Sequence, residues 1–152
     1  MEVYRLAREP HASTLSGKGA AIKGARWNSP GIELIYTATN RSLAMAEVAV
    51  HLTYATLPED YMMVTIHIPD HLPGKTIHLH DLPNDWNVFP HPSSTRTIGN
   101  DFVIEQVQCF LIVPSAVTKG DFNVLINPKH RDFSAIAIQS IEKFPFDRRL
   151  FS

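Results

Sequence analysis

Two spacings of apolar residues divide the chain. Runs of alternating or continuous apolar character at 2–7 (EVYRLA), 33–38 (ELIYTA), 61–68 (YMMVTIHI), 109–115 (CFLIVPS), 123–128 (NVLINP) and 134–141 (SAIAIQSI) predict strands. In the second run, alternation sets Leu34 and Tyr36 on one face and Ile35 and Thr37 on the other. Runs 109–115 and 134–141 are apolar enough to be central strands. Between the second and third runs the spacing becomes helical. Thr39 and Asn40 are available as N-caps, with Ser42 just inside. Leu43, Ala44, Met45, Ala46, Val48, Ala49, Val50 and Leu52 then cover nearly every side of the helix, which predicts a buried one. A second helix is predicted over 94–108, with Ile98 and Phe102 on one side and Gly99 counting against it. The pattern is that of a mixed α+β domain.

Two stretches break the pattern. Residues 69–93 read as loop, punctuated by Pro69, Pro73, Pro83, Pro90 and Pro92. A long loop also joins the first two strands and holds Gly17, Gly19, Gly24 and Gly31, four of the seven glycines. Loops of that length in a compact domain are usually functional or disordered. Arg26 follows the glycines, and its planar fork suits bidentate contact with phosphate oxygens. Trp27 reads as a structural anchor.

The predicted first helix carries two conspicuous polar groups, Glu47 and His51, one turn apart. A carboxylate on an apolar helix must be paired or must line a wet cleft. A Glu47–His51 or Glu47–arginine pair serving structure alone and a functional carboxylate are both open on this pattern.

Composition excludes several classes. With 152 residues the chain reads as one domain, 1–152, long enough for a substantial core. Fourteen basic and 15 acidic residues give a net charge of −1, which offers no electrostatic footprint for nucleic acid. The single cysteine, Cys109, lies in an apolar run and cannot form a disulfide within the chain, which suits a reducing cytoplasm. No apolar stretch approaches a membrane span, and residues 1–10 lack a signal-peptide core. Among the eight histidines, His78 and His80 flank Leu79 and precede Asp81, but no HExxH motif or cysteine pair adds ligands, so no metal is expected. His130 reads as a loop-packing residue.

Five blocks then fall in a specific order. They are Tyr4-Arg5, GxRWN at Gly24 to Asn28 with Tyr36 after it, AxxE at Ala44 to Glu47, VPSAV at Val113 to Val117, and NVLINPKH at Asn123 to His130, with PFDRRL near the end. This order resembles the RES domain family, whose arginine, glutamate and serine match Arg26, Glu47 and Ser115. The resemblance runs nearly end to end. One departure is Gly120-Asp121-Phe122, where a more acidic or proline-bearing approach to Asn123 would be expected.

The resemblance implies a great deal. It implies an ADP-ribosyltransferase-like fold with a split mixed sheet and flanking helices. It implies the toxin half of a bacterial toxin–antitoxin pair that consumes NAD as substrate, with no separate cofactor. Cleavage of the nicotinamide–ribose bond by hydrolysis or phosphorolysis is expected, with protein ADP-ribosylation as the alternative. The implied partner is an Xre-type helix-turn-helix antitoxin that itself binds the DNA, with a homodimer within that complex left open. Glu47 would steady the cationic transition state, Tyr36 would present its ring to nicotinamide, and Arg26 with Arg5 would clamp the pyrophosphate. Ser115 would contact the nicotinamide ribose or amide. A catalytically silent binding module on the same fold is the competing reading.

Overall fold

The computed structural model describes residues 1–151. The elements run β1 (Glu2–Arg8), α1 (Glu9–Ala12), α2 (Lys18–Lys23), β2 (Ile35–Ala38), α3 (Arg41–Ala49), β3 (Tyr61–His67), β4 (Gly74–Thr76), α4 (Ser93–Glu105), β5 (Phe110–Pro114), β6 (Phe122–Ile126) and β7 (Ala137–Lys143). The strands form one mixed sheet in the order β4-β5-β6-β2-β1-β3-β7. Only β4–β5 is parallel.

The pairing is uneven, and that unevenness makes the site. β1 pairs with β3 along its whole length, from Glu2 opposite His67 to Arg8 opposite Tyr61. β2 pairs with β6 along its whole length, from Ile35 opposite Ile126 to Ala38 opposite Asn123. Between β1 and β2, however, a single register pair survives, Tyr4 with Ala38. Two well-paired half-sheets are thus joined at one point and diverge from it.

Alternation then assigns the cores. Val3, Ile35, Val64, Ile66, Val124 and Ile126 belong to one cluster. Their neighbours Leu34, Leu111, Val113 and Leu125 face the other way and pack with Trp27 and Phe102 of α4. A third cluster joins Leu6 and Met63 of one half-sheet to Ala38 of the other through Leu43 and Ala44 of α3. The Arg41 guanidinium adds a cation–π contact, 4.5 Å above the Tyr4 ring. α3 therefore lies across the split and staples it.

The sequence reading needs correction at five places. α3 is not buried all round: only Leu43 and Ala44 are buried, and Val50 is 60% exposed. Its apolar character reflects small alanines on a helix that covers the sheet with one stripe. The glycine-bearing loop contains α2, a six-residue helix too short to show a period. The proline-rich stretch contains β4, three exposed residues with no alternation to detect. β7 is an edge strand with mostly exposed side chains, whereas the central positions belong to β6, β2, β1 and β3. Gly99 does not weaken α4 but allows it to dock, because a Cβ there would stand 1.6 Å from the Trp27 carbonyl oxygen.

Candidate active site

Where β1 and β2 part, a cleft of about 400 Å³ opens beneath α3. Arg5 of β1, Arg26 of the preceding loop, Tyr36 of β2 and Glu47 of α3 all line it. Sequence positions 5 to 47 converge because the half-sheets supply two walls and α3 spans them.

Glu47 reaches the cleft because Asn40 starts the helix cleanly, its Oδ1 accepting from the Leu43 N–H at 2.8 Å. The carboxylate accepts a hydrogen bond from the Ser115 hydroxyl at 3.1 Å. Burial pushes the Glu47 pKa above the usual carboxylate range, against the opposing pull of Ser115, Asn123, Arg26 and His51. The net direction is upward, so burial outweighs its partners.

Ser115, expected to contact the nicotinamide ribose or amide, directly follows β5 and turns its hydroxyl to Glu47. It is 4% exposed and stands outside the cleft wall. Its oxygen accepts from the Val117 and Thr118 N–H groups at 3.1 and 3.0 Å while donating to Glu47. The hydroxyl is thus aimed at the carboxylate by the turn that follows β5.

Tyr36 and Trp27 are held by Asn28. The Tyr36 hydroxyl donates to Asn28 Oδ1 at 2.7 Å and accepts from the Trp27 N–H at 3.0 Å. Asn28 is fully buried, with its Nδ2 group placed against the carbonyls of Ala20, Ser29 and Ile32. Burial raises the Tyr36 pKa far above its ordinary value, so the phenol stays neutral. Trp27 is the anchor expected of it, buried with its ring 6.3 Å from that of Trp86.

The two arginines differ. Arg26 Nη1 donates to the carbonyls of Trp86 at 2.8 Å and Val88 at 3.0 Å, while Thr95 of α4 holds the Arg26 backbone carbonyl at 2.7 Å. Burial lowers its pKa, with Glu47 and Tyr36 pulling the other way. Arg5 has no hydrogen-bond or ion-pair partner among the described residues, and burial alone lowers its pKa. A guanidinium remains charged under these conditions. An unpartnered guanidinium that lines a cleft has the donor geometry to accept a bidentate contact from phosphate or carboxylate oxygens.

Several site residues escaped the sequence reading. Asn28 and Asn123 sat inside the quoted motifs without a role, although the first pins Tyr36 and the second lines the cleft beside Glu47. Phe89 and His91 line the cleft from the proline-rich loop, where no period or motif pointed to them. His51 lies beyond the end of α3 on the cleft rim rather than on its stripe. His130 is buried against the Val107 carbonyl and the Asp132 N–H, as a packing residue would be. His78 and His80 stack on each other at 5.3 Å on the surface.

The chain is thus an α+β domain whose mixed sheet splits over a cleft lined by Arg5, Arg26, Tyr36 and Glu47. The RES domain model matches residues 2–148, and the chain belongs to the RES domain family. It is 34% identical over 95% of its length to "Prs ADP-ribosylating toxin" of Sphingobium sp. (strain YBL2), covering 91% of that protein. It is 36% identical over 99% of its length to "Toxin Res" of Photorhabdus laumondii, covering 97% of it. Its fold matches the crystal structure of the M. tuberculosis MbcT–MbcA toxin–antitoxin complex with a TM-score of 0.76, over 99% of this chain and 86% of that one, at 22% identity. No helix among the described residues is long and apolar enough to cross a membrane.

Proposed function

We propose that this protein is the toxin of a toxin–antitoxin pair and acts by breaking the nicotinamide–ribose bond of NAD. The observation that carries the reading is Glu47: a half-buried carboxylate, oriented by Ser115, in a cleft that also presents an unpartnered Arg5. The names of the RES-family relatives support the toxin assignment.

The chemistry asks little of an acid. Nicotinamide in NAD is cationic, so the C–N electron pair leaves with the ring and the leaving group departs neutral. Positive charge then develops on the ribose, and an ionised Glu47 in a partly water-excluded cleft stabilises it more strongly than water would. Arg5 holds the pyrophosphate, together with the part of the Arg26 fork not committed to Trp86 and Val88. Tyr36, fixed by Asn28, offers a neutral ring edge to the nicotinamide. Ser115 acts through Glu47 rather than on the substrate. Water attacking the anomeric carbon releases its proton to solvent, whereas phosphate attacks through an oxygen that is already ionised.

A second reading has specific support. The Sphingobium relative is named for ADP-ribosylation, which is the same bond cleavage with a protein side chain as the acceptor. An Xre-type antitoxin is the proposed partner, supported by a fold neighbour solved as a toxin–antitoxin complex. Incubation of the purified protein with adenine-labelled NAD, with and without phosphate and cell lysate, tests these alternatives. Free ADP-ribose means hydrolysis, ADP-ribose-1″-phosphate means phosphorolysis, and label retained on a lysate protein means transfer. Intact NAD in every arm would leave the binding-module reading in its place.

A further inference from the structure

Phe89 is the most exposed large apolar side chain among the described residues, at 79%, and it lines the mouth of the cleft. A phenylalanine in a short loop gains by packing under it. This one instead stands out, with its ring set at 87° to that of His91 and the centroids 5.3 Å apart. On the same cleft, Val50 is 60% exposed and Val117 38% exposed, so the mouth is apolar where the floor is polar.

The loop is tied to the floor at one place. The carbonyl of Val88, adjacent in sequence to Phe89, accepts from Arg26 Nη1 at 3.0 Å, and that of Trp86 does so at 2.8 Å. Phe89 is therefore one residue away from a backbone group bonded to the cleft's guanidinium. A dinucleotide has two aromatic heterocycles joined through a pyrophosphate. If the nicotinamide half enters toward Glu47 and the pyrophosphate meets the arginines, the second heterocycle emerges at the mouth.

Resting on the NAD reading above, we infer that Phe89 is the stacking platform for the adenine ring and a specificity determinant for the whole dinucleotide over its nicotinamide half. Arg26 gains a second role in this arrangement. By holding the 86–88 carbonyls it fixes the distance between the phosphate clamp and the stacking ring. The platform selects for a flat base attached through the pyrophosphate and is indifferent to the base's hydrogen-bonding edge.

The test compares NAD with nicotinamide mononucleotide, which lacks the adenylate, by following nicotinamide release. Phe89→Ala is expected to lower kcat/KM for NAD about tenfold through KM, within the span that base–aromatic stacking supplies. The mononucleotide should change less than about twofold, on the same ground that it has no base to stack. Phe89→Trp, which keeps an aromatic face, should stay near wild type on both. Inhibition of NAD cleavage by adenosine monophosphate supplies the same comparison independently, weakening in Phe89→Ala and persisting in Phe89→Trp. Phe89 is exposed, so loss of folding is not at issue. Equal losses on both nucleotides, or an unchanged KM for NAD, would overturn the assignment. A wild-type protein that releases nicotinamide from neither nucleotide would overturn the NAD reading and this inference with it.

Discussion

The proposed chemistry turns on one carboxylate, Glu47, which burial keeps above its usual pKa. For Glu47 the sign has two consequences. Activity that needs the ionised form should rise with pH through a midpoint above the ordinary glutamate range. A kcat/KM profile on purified protein would read this, and a midpoint at or below the ordinary value would contradict it. Stability runs the other way. The folded state binds this proton more tightly than the unfolded chain does, so Glu47 erodes stability as pH rises from the unfolded pKa through the raised folded one. Glu47→Gln should therefore melt higher than wild type near neutral pH, with the gap closing toward acid, as expected where function is maintained against stability. Ser115 belongs to the same account. Ser115→Ala removes a donor that favours ionisation, so the activity profile should shift further to alkaline pH. It also removes the acceptor of the Val117 and Thr118 N–H groups, costing about 0.5–1.5 kcal/mol of stability, because both residues are exposed and water can replace the lost oxygen. A loss of stability with an unmoved pH profile would make Ser115 a turn residue only.

At the scale of elements, the decisive contact is the docking of α4 onto the GxRWN segment. Gly99 sits where any side chain would meet the Trp27 carbonyl, and Thr95 of the same helix holds the Arg26 carbonyl. Gly99→Ala should therefore destabilise by about 3 kcal/mol, the upper part of the overpacking range, because the obstacle is backbone. It should also lower activity, since Arg26 and Trp27 must shift together. Chemical denaturation checks the first effect, and near-wild-type stability would mean that α4 yields easily. This contact also explains what the sequence could and could not convey. Gly99 reads as a weakness in a helix because helix propensity is local, whereas its function is a close approach to Trp27, distant in sequence, beside the Asn100–Ser29 bond that spans 71 residues. α2 and β4 carry no readable period at six and three residues. β7 is apolar yet lies at the edge, since composition does not say which face will be covered.

For the whole molecule, the site arises from incomplete pairing. β1 and β2 each have a full partner on their outer side and share only Tyr4–Ala38 between them, so the sheet opens where Arg5, Tyr36 and Glu47 meet. Six of the seven strands and α3 were legible from spacing, and motif order singled out Arg26, Tyr36, Glu47 and Ser115 as candidates. The split was not legible from pattern, because register between strands distant in sequence leaves no local trace. Nor was the position of Ser115 behind Glu47, which depends on the fold of the turn after β5. The account rests on Glu47 meeting a developing cation in that opening. Its most direct test is the rate of nicotinamide release from NAD by purified wild-type protein and Glu47→Gln, paired with a melting curve for each. The wild type should turn NAD over, and the variant should be slower by roughly 10²–10³-fold while folding at least as stably, as for loss of one preorganised electrostatic group. A well-folded Glu47→Gln that releases nicotinamide at near-wild-type rate would contradict the account.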